Sequence, residues 1–180
     1  MRMFVTFALV FFVATMCAAR PASAQQVTKP TVPGAANFAQ LETTVACGGA
    51  TTPEAVPELK KMGFKSIINL RLPNEAGANI DAEEAAAKTA GINFYSIPFS
   101  GQAPDPAVAD KFLDTVTAAA NQPAYIHCAA GNRAGAMWMI KRLAVDHWDA
   151  DRAYTEAAAL GLTSPALKQF AIDYSKTHQR

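Results

Sequence analysis

The sequence predicts an α/β domain: a mostly parallel sheet of four to five strands flanked by helices. Three observations carry that expectation. Short β-branched or aromatic runs at Ser66–Leu70, Asn93–Ile97 and Ala124–His127 alternate with helical segments. Helix starts are punctuated by Thr52-Pro53, Asp105-Pro106 and Ser164-Pro165, each with a capping side chain before a proline at the first helical position. The segment Ala136-Met137-Trp138-Met139-Ile140 is apolar on every side, as befits a buried central helix. Strands alternating with helices pair in parallel and bury both faces of the sheet.

Taken in order, the chain starts with Arg2 and an apolar run over residues 4–18, broken only by Thr6 and Thr15. Ala22-Ser23-Ala24 follows, with small residues where a signal peptidase cuts. The run is short for a bilayer span, so residues 1–24 are expected to form a signal peptide cleaved after Ala24. That layout implies a periplasmic or secreted protein with no membrane attachment after cleavage. Residues 25–37, rich in Pro and polar side chains, read as a flexible leader. The folded domain is expected over 38–180, with one or two further strands within Phe38–Cys47. A first helix over about 53–62 puts Ala55, Leu59 and Met62 on one face. A helix over about 106–120 aligns Val108, Phe112, Val116 and Ala119. Asp81 with Glu84 resembles a capping box.

Composition excludes several functions. The chain carries 16 Lys+Arg and 15 Asp+Glu. Without Arg2 and Arg20 the balance becomes 14 against 15, net −1. Such a chain is not built to hold nucleic acid. No Cys/His group has metal spacing, and no cofactor is implied.

The chemistry concentrates after the strand Ala124–His127, in Cys128-Ala129-Ala130-Gly131-Asn132-Arg133-Ala134-Gly135. A strand, a short loop with glycine, then a buried helix places loop amides and first-turn helix amides around one concavity. An anion fits there, favoured by the helix dipole. Arg133 offers a fork of donors to two oxygens of an oxyanion. The same field favours a thiolate at Cys128, which makes it a nucleophile. The bland alternative is a buried Cys beside a surface salt bridge of Arg133.

This stretch resembles the phosphate-binding loop of cysteine-dependent phosphatases. The segments Gly48–Ala55, Gly63–Arg71 and Gly91–Pro98 are similar to landmarks of dual-specificity phosphatases, and above all of the beta-lactamase-hydrolase-like phosphatase domain. The resemblance covers residues 40–175. It implies a cysteine-phosphatase-like fold in which Cys128 attacks phosphorus. Arg133 and the backbone of Ala129, Ala130, Gly131, Asn132 and Ala134 would then hold the phosphate. The implied substrate is a phosphorylated small molecule or a phosphoprotein. Three departures stand out. Only four residues separate Cys128 from Arg133, against five in typical tyrosine phosphatases, a spacing usual in the beta-lactamase-hydrolase-like group and also in rhodanese sulfurtransferases. Ala134 stands where a hydroxyl residue is common. The general acid has no clean counterpart, because the comparable loop, Pro98 to Asp105, offers Ser100 where an Asp is expected.

Asp105 and Asp110 are the remaining candidate acids, against the readings of Asp105 as a helix cap before Pro106, which is favoured, and of Asp110 as a solvated helix residue. His127 points opposite to Cys128 by strand alternation and is expected to be buried and hydrogen-bonded rather than a base. Arg71 either lines the cleft or is an ordinary surface charge, and Glu75 reads as a solvated turn residue. Cys47 either forms a reversible disulfide with Cys128 or is a small buried residue. The leading function is a phosphomonoesterase. The alternatives are a sulfurtransferase with a Cys128 persulfide and a non-catalytic phosphate-binding module.

Overall fold

The computed structural model describes residues 26–180; the expected signal peptide over 1–24 lies outside them. Six strands form one sheet: β1 (Val27–Thr28), β2 (Ala39–Leu41), β3 (Val45–Gly48), β4 (Ser66–Asn69), β5 (Asn93–Ser96) and β6 (Ala124–His127). Their order is β1-β2-β3-β6-β4-β5. The first three are antiparallel neighbours, while β3, β6, β4 and β5 run in parallel. The helices are α1 (Val56–Lys61), α2 (Ile80–Ala90), α3 (Pro106–Thr117), α4 (Asn132–Ala144), α5 (Ala150–Ala159) and α6 (Pro165–Thr177).

The strand count exceeds the expected four or five because residues 26–37 are no loose leader. Val27 and Thr28 pair with Leu41 and Gln40, and Val32 and Ala35 are buried against the sheet. A few apolar side chains, spaced to reach the edge of the domain, suffice to dock this stretch. The first helix is also broken in two. Pro53–Ala55 form a 3-10 turn and α1 follows, with Pro57 near its start. Thr52 makes no side-chain cap bond. The Asp81/Glu84 capping box does not form. α2 begins two residues earlier than that box requires, at Ile80, with Asn79 in the left-handed region (φ 42°) at its N-cap. Asp105 and Ser164 do cap their helices, accepting from the amides of Ala107 and Leu167.

β6 is the central strand, in register with β3 on one side and β4 on the other. Its alternation sorts the core. Ile126 and Cys128 belong to the cluster packed by α3 to α6, whereas Tyr125 joins Phe38, Phe64 and Leu59 in the cluster on the opposite face. α4 lies in the middle of the larger cluster, with every residue from Ala134 to Ile140 buried. Gly135 permits that depth. A Cβ there would sit 2.8 Å from the Leu162 amide nitrogen and 3.0 Å from the Ala157 carbonyl oxygen. The loop leading from β6 into α4 therefore stands at the carboxyl end of the central parallel strand, where α/β sheets place their ligands.

Candidate active site

Cys128 continues the β6 ladder, its amide donating to the Gly48 carbonyl at 3.2 Å. Its side chain turns toward α4 and is 1 % exposed. The chain then reverses through Gly131, whose φ of 101° suits glycine alone. The reversal aims the Gly131 amide at the Cys128 sulfur, with N to Sγ at 3.1 Å. No side chain caps α4. The first-turn amides of a helix lack intrahelical acceptors, so here they face the loop with only the dipole's positive end to offer. Asn132 anchors the outer side of the loop. Its Oδ1 accepts from the Thr163 amide at 2.7 Å, the Thr163 hydroxyl at 3.0 Å and the Ser164 amide at 2.8 Å.

Arg133 is held from below. Its Nη1 donates to Glu75 Oε1 at 2.6 Å, to the Phe99 carbonyl at 3.0 Å and to the Leu70 carbonyl at 3.1 Å; its Nη2 donates to Glu75 Oε2 at 2.8 Å. A guanidinium has five N–H bonds in a planar fork. Glu75 takes the Nη1/Nη2 edge and the carbonyls take the remaining Nη1 hydrogen. The Nε–H and the second Nη2 hydrogen form the other edge, the one suited to two oxygens of a tetrahedral anion. Burial alone would lower the basicity of Arg133. The Glu75 hydrogen bonds and the nearby Cys128 outweigh burial, so it holds its proton more firmly than usual. The same bonds keep the Glu75 carboxyl at a pKa of about 2, against an ordinary 4.5.

Glu75 is not the solvated turn residue that the sequence suggests. Arg71 shapes its turn. The Arg71 side chain is 4 % exposed and donates to the Gly77 carbonyl at 2.7 Å, to the Ala76 carbonyl at 2.6 Å and to Glu75 at 3.3 Å. It is not a surface charge. The available signal was positional: Arg71 and Glu75 immediately follow β4, at the same sheet end as Cys128. Glu83 was missed as well, although it shares a helical face with Ile80 and Ala87. His127 is fully buried, as expected, but neither ring nitrogen forms the expected hydrogen bond; the ring stacks on Tyr125 with centroids 5.6 Å apart and faces Glu83.

The loop from Pro98 lies across Arg133, for a Cβ on Gly101 would touch Arg133 Cγ at 3.6 Å. Ser100 accepts from the amides of Gln102 and Ala103 and so shapes this turn. Asp105 is engaged as the α3 cap, Oδ1 accepting from Ala107 at 2.9 Å. Asp110 is bound to Tyr174 at 2.7 Å and to Arg180 at 2.9 Å, away from the loop's contacts. Ala134 is buried in the core and brings no hydroxyl. Cys47 and Cys128 are both free thiols. They sit offset by two residues on neighbouring strands, farther than a disulfide spans without backbone movement. Burial pushes the Cys47 thiol's ionisation up, and the neighbouring Cys128 adds to that. Among the described residues, no group of three or more His, Cys, Asp and Glu is placed to hold a metal ion.

Comparison with known proteins agrees with this geometry. A family model described as DSP-PTPase phosphatase fused to NAD+ kinase matches residues 17–171. The beta-lactamase hydrolase-like protein of Xylella fastidiosa is 32 % identical over 94 residues, which make up 50 % of this chain and 21 % of that protein. This chain thus matches only about a fifth of the length of its curated relatives. A DUF442 protein of Shewanella putrefaciens shares the fold with a TM-score of 0.68 at 20 % identity, covering 82 % of this chain and 96 % of that one. The PP-IP phosphatase SIW14 of S. cerevisiae gives 0.64 at 23 % identity, covering 82 % and 90 %. P. aeruginosa TpbA bound to phosphotyrosine gives 0.63 at 19 % identity, covering 87 % and 92 %.

Proposed function

The chain belongs to the DSP-PTPase phosphatase family, and we propose that it hydrolyses phosphate monoesters through a cysteinyl-phosphate at Cys128. One observation carries the reading. The Gly131 amide meets the Cys128 sulfur while Glu75 immobilises Arg133 by its far edge, leaving the near edge of the guanidinium for an oxyanion. In this reading the Cys128 thiolate attacks phosphorus as the P–O ester bond breaks, and the departing alkoxide takes up a proton. Water then attacks the cysteinyl-phosphate. The P–S bond breaks, thiolate is regenerated and inorganic phosphate leaves. Loop amides from Ala129 to Ala134 and the Arg133 fork stabilise the charge on the equatorial oxygens through both steps.

Asp105 was a candidate to protonate the leaving group, but its carboxylate serves α3. With no acid assigned, substrates whose alcohol leaves readily are favoured, and aryl phosphates are the natural class. The phosphotyrosine bound by TpbA, a fold relative, is such an ester. Residues 1–24 would direct export, with the mature chain starting at Gln25, a start that mass measurement of the secreted product checks. The central test is release of phosphate from p-nitrophenyl phosphate by the reduced protein and by Cys128→Ser. Activity lost in the variant supports the reading. Sulfur transfer from thiosulfate to cyanide without phosphate release would select a persulfide chemistry instead, which the four-residue loop also fits. Phosphate binding with neither activity would leave a binding module.

A further inference from the structure

β4 and β6 are neighbours, and Asn69 and His127 are partners in their register. Both side chains turn toward α2, where Glu83 has no exposure to solvent. A buried carboxylate is tolerated only where neighbours compensate it. Here Asn69 supplies a hydrogen bond to one oxygen, its Nδ2 donating to Glu83 Oε2 at 2.8 Å. His127 Nε2 lies 2.9 Å from the other oxygen, Oε1, but the two form no hydrogen bond.

Asn69 passes the contact on, since its Oδ1 accepts from the Arg71 amide at 2.8 Å. Arg71 fixes the turn of Ala76 and Gly77 and touches Glu75, and Glu75 grips Arg133. One polar chain therefore runs from the residue preceding the nucleophile to the residue that would hold the oxyanion. Hydrogen bonds give the Asn69, Arg71 and Glu75 links their direction, while His127 joins the chain through a close polar approach to Glu83 without one.

We propose that Glu83 is a positioning residue which, through Asn69 and Arg71, keeps His127–Cys128 in register with the Glu75 clamp on Arg133. The role rests on the reading of Cys128 and Arg133 given above. Spatial continuity alone does not establish coupling, whereas a double-mutant cycle measures it. The cycle uses wild type, Glu83→Ala, Glu75→Gln and the double variant of the full chain. It reads inhibition of p-nitrophenyl phosphate hydrolysis by inorganic phosphate, with melting temperature followed alongside. Glu83→Ala is expected to weaken phosphate binding on the order of tenfold, although Glu83 touches none of the oxyanion-binding groups. Glu83→Gln, which keeps the acceptor for Asn69, should restore most of it. In the Glu75→Gln background, Glu83→Ala should add less than about twofold. Effects that simply multiply, or a wild-type phosphate constant in Glu83→Ala, would overturn the positioning role. If Glu83→Ala does not fold, Asn69→Ser replaces it in the same cycle with the same expectation. A wild-type protein that neither hydrolyses the ester nor binds phosphate would instead defeat the reading of the site itself, and the positioning role with it.

Discussion

Helix α4 carries two arginines, nine residues apart, that meet carboxylates in opposite ways. At its C-terminal end Arg142 is gripped on both edges. It donates from Nε to Glu156 at 2.6 Å, from Nη2 to Glu156 at 3.3 Å and from Nη1 to Asp146 at 2.8 Å. Its guanidinium also lies 4.7 Å from the Trp138 ring centroid and 4.1 Å from that of Trp148. At the N-terminal end Arg133 meets one carboxylate, end-on, and keeps its Nε side out of that grip. The difference teaches what separates a structural arginine from a candidate binding one. Both are largely buried and both are paired with acids. What distinguishes them is that Arg142 is covered on both edges and over its face by two carboxylates and two indoles, whereas the Arg133 partners leave one edge open.

Exchanging the two roles is the severest way to break that comparison. Arg133→Lys should lower kcat/KM for p-nitrophenyl phosphate by about 10²–10³-fold, because an ammonium cannot present a fork to two oxygens. Arg142→Met should leave kcat/KM within about twofold of wild type, yet destabilise the fold by about 1.5–3 kcal/mol, since it leaves Glu156 with only the Trp138 indole and Asp146 with only Lys141. Steady-state rates and denaturant titrations of the two variants check the contrast. Equal losses of activity would erase it.

Glu75→Gln sharpens the comparison further. It should cost on the order of 10²-fold in kcat/KM by loosening Arg133. It also has a pH signature. The folded-state pKa of Glu75 is depressed to about 2 from 4.5. Its contribution to stability is therefore fully present above about pH 4.5 and is lost as pH falls through about 2. The stability gap between wild type and Glu75→Gln should stay constant from neutral pH down to that upper limit, then close on further acidification. A gap that closes nearer neutrality would mean that Glu75 is not clamped.

Two smaller effects concern the frame. Gly135→Ala should destabilise by about 1–3 kcal/mol, because its Cβ collides with backbone at Leu162 and Ala157 rather than with a side chain that can move. Smallest of all, Asp105→Ala should cost about 1 kcal/mol through the lost α3 cap, with kcat for an aryl phosphate unchanged. A large fall in kcat, reproduced in Asp105→Asn, would restore Asp105 as the general acid.

The sequence by itself determined the parallel core of the sheet, the buried central helix and the position of Cys128 and Arg133 at the mouth of β6. Those follow from local rules: alternation along strands, the absence of a polar face in α4, and a glycine where the chain must reverse. It also told apart His127 and Cys128, because neighbours on a strand face opposite ways. The partners of these residues were decided by tertiary structure alone. Glu75 and Arg133 are far apart in the chain, and nothing local to a Pro/Asn/Gly turn reveals that its carboxylate closes on a helix start. Glu83 showed only as an acid on a half-apolar helix face; its buried neighbours come from two other elements. The N-terminal stretch looked loose because its few apolar residues gain value only beside a sheet edge that the rest of the chain builds. Propensity and periodicity act within an element, whereas the pairing of charges and the burial of an edge depend on which elements the fold brings together.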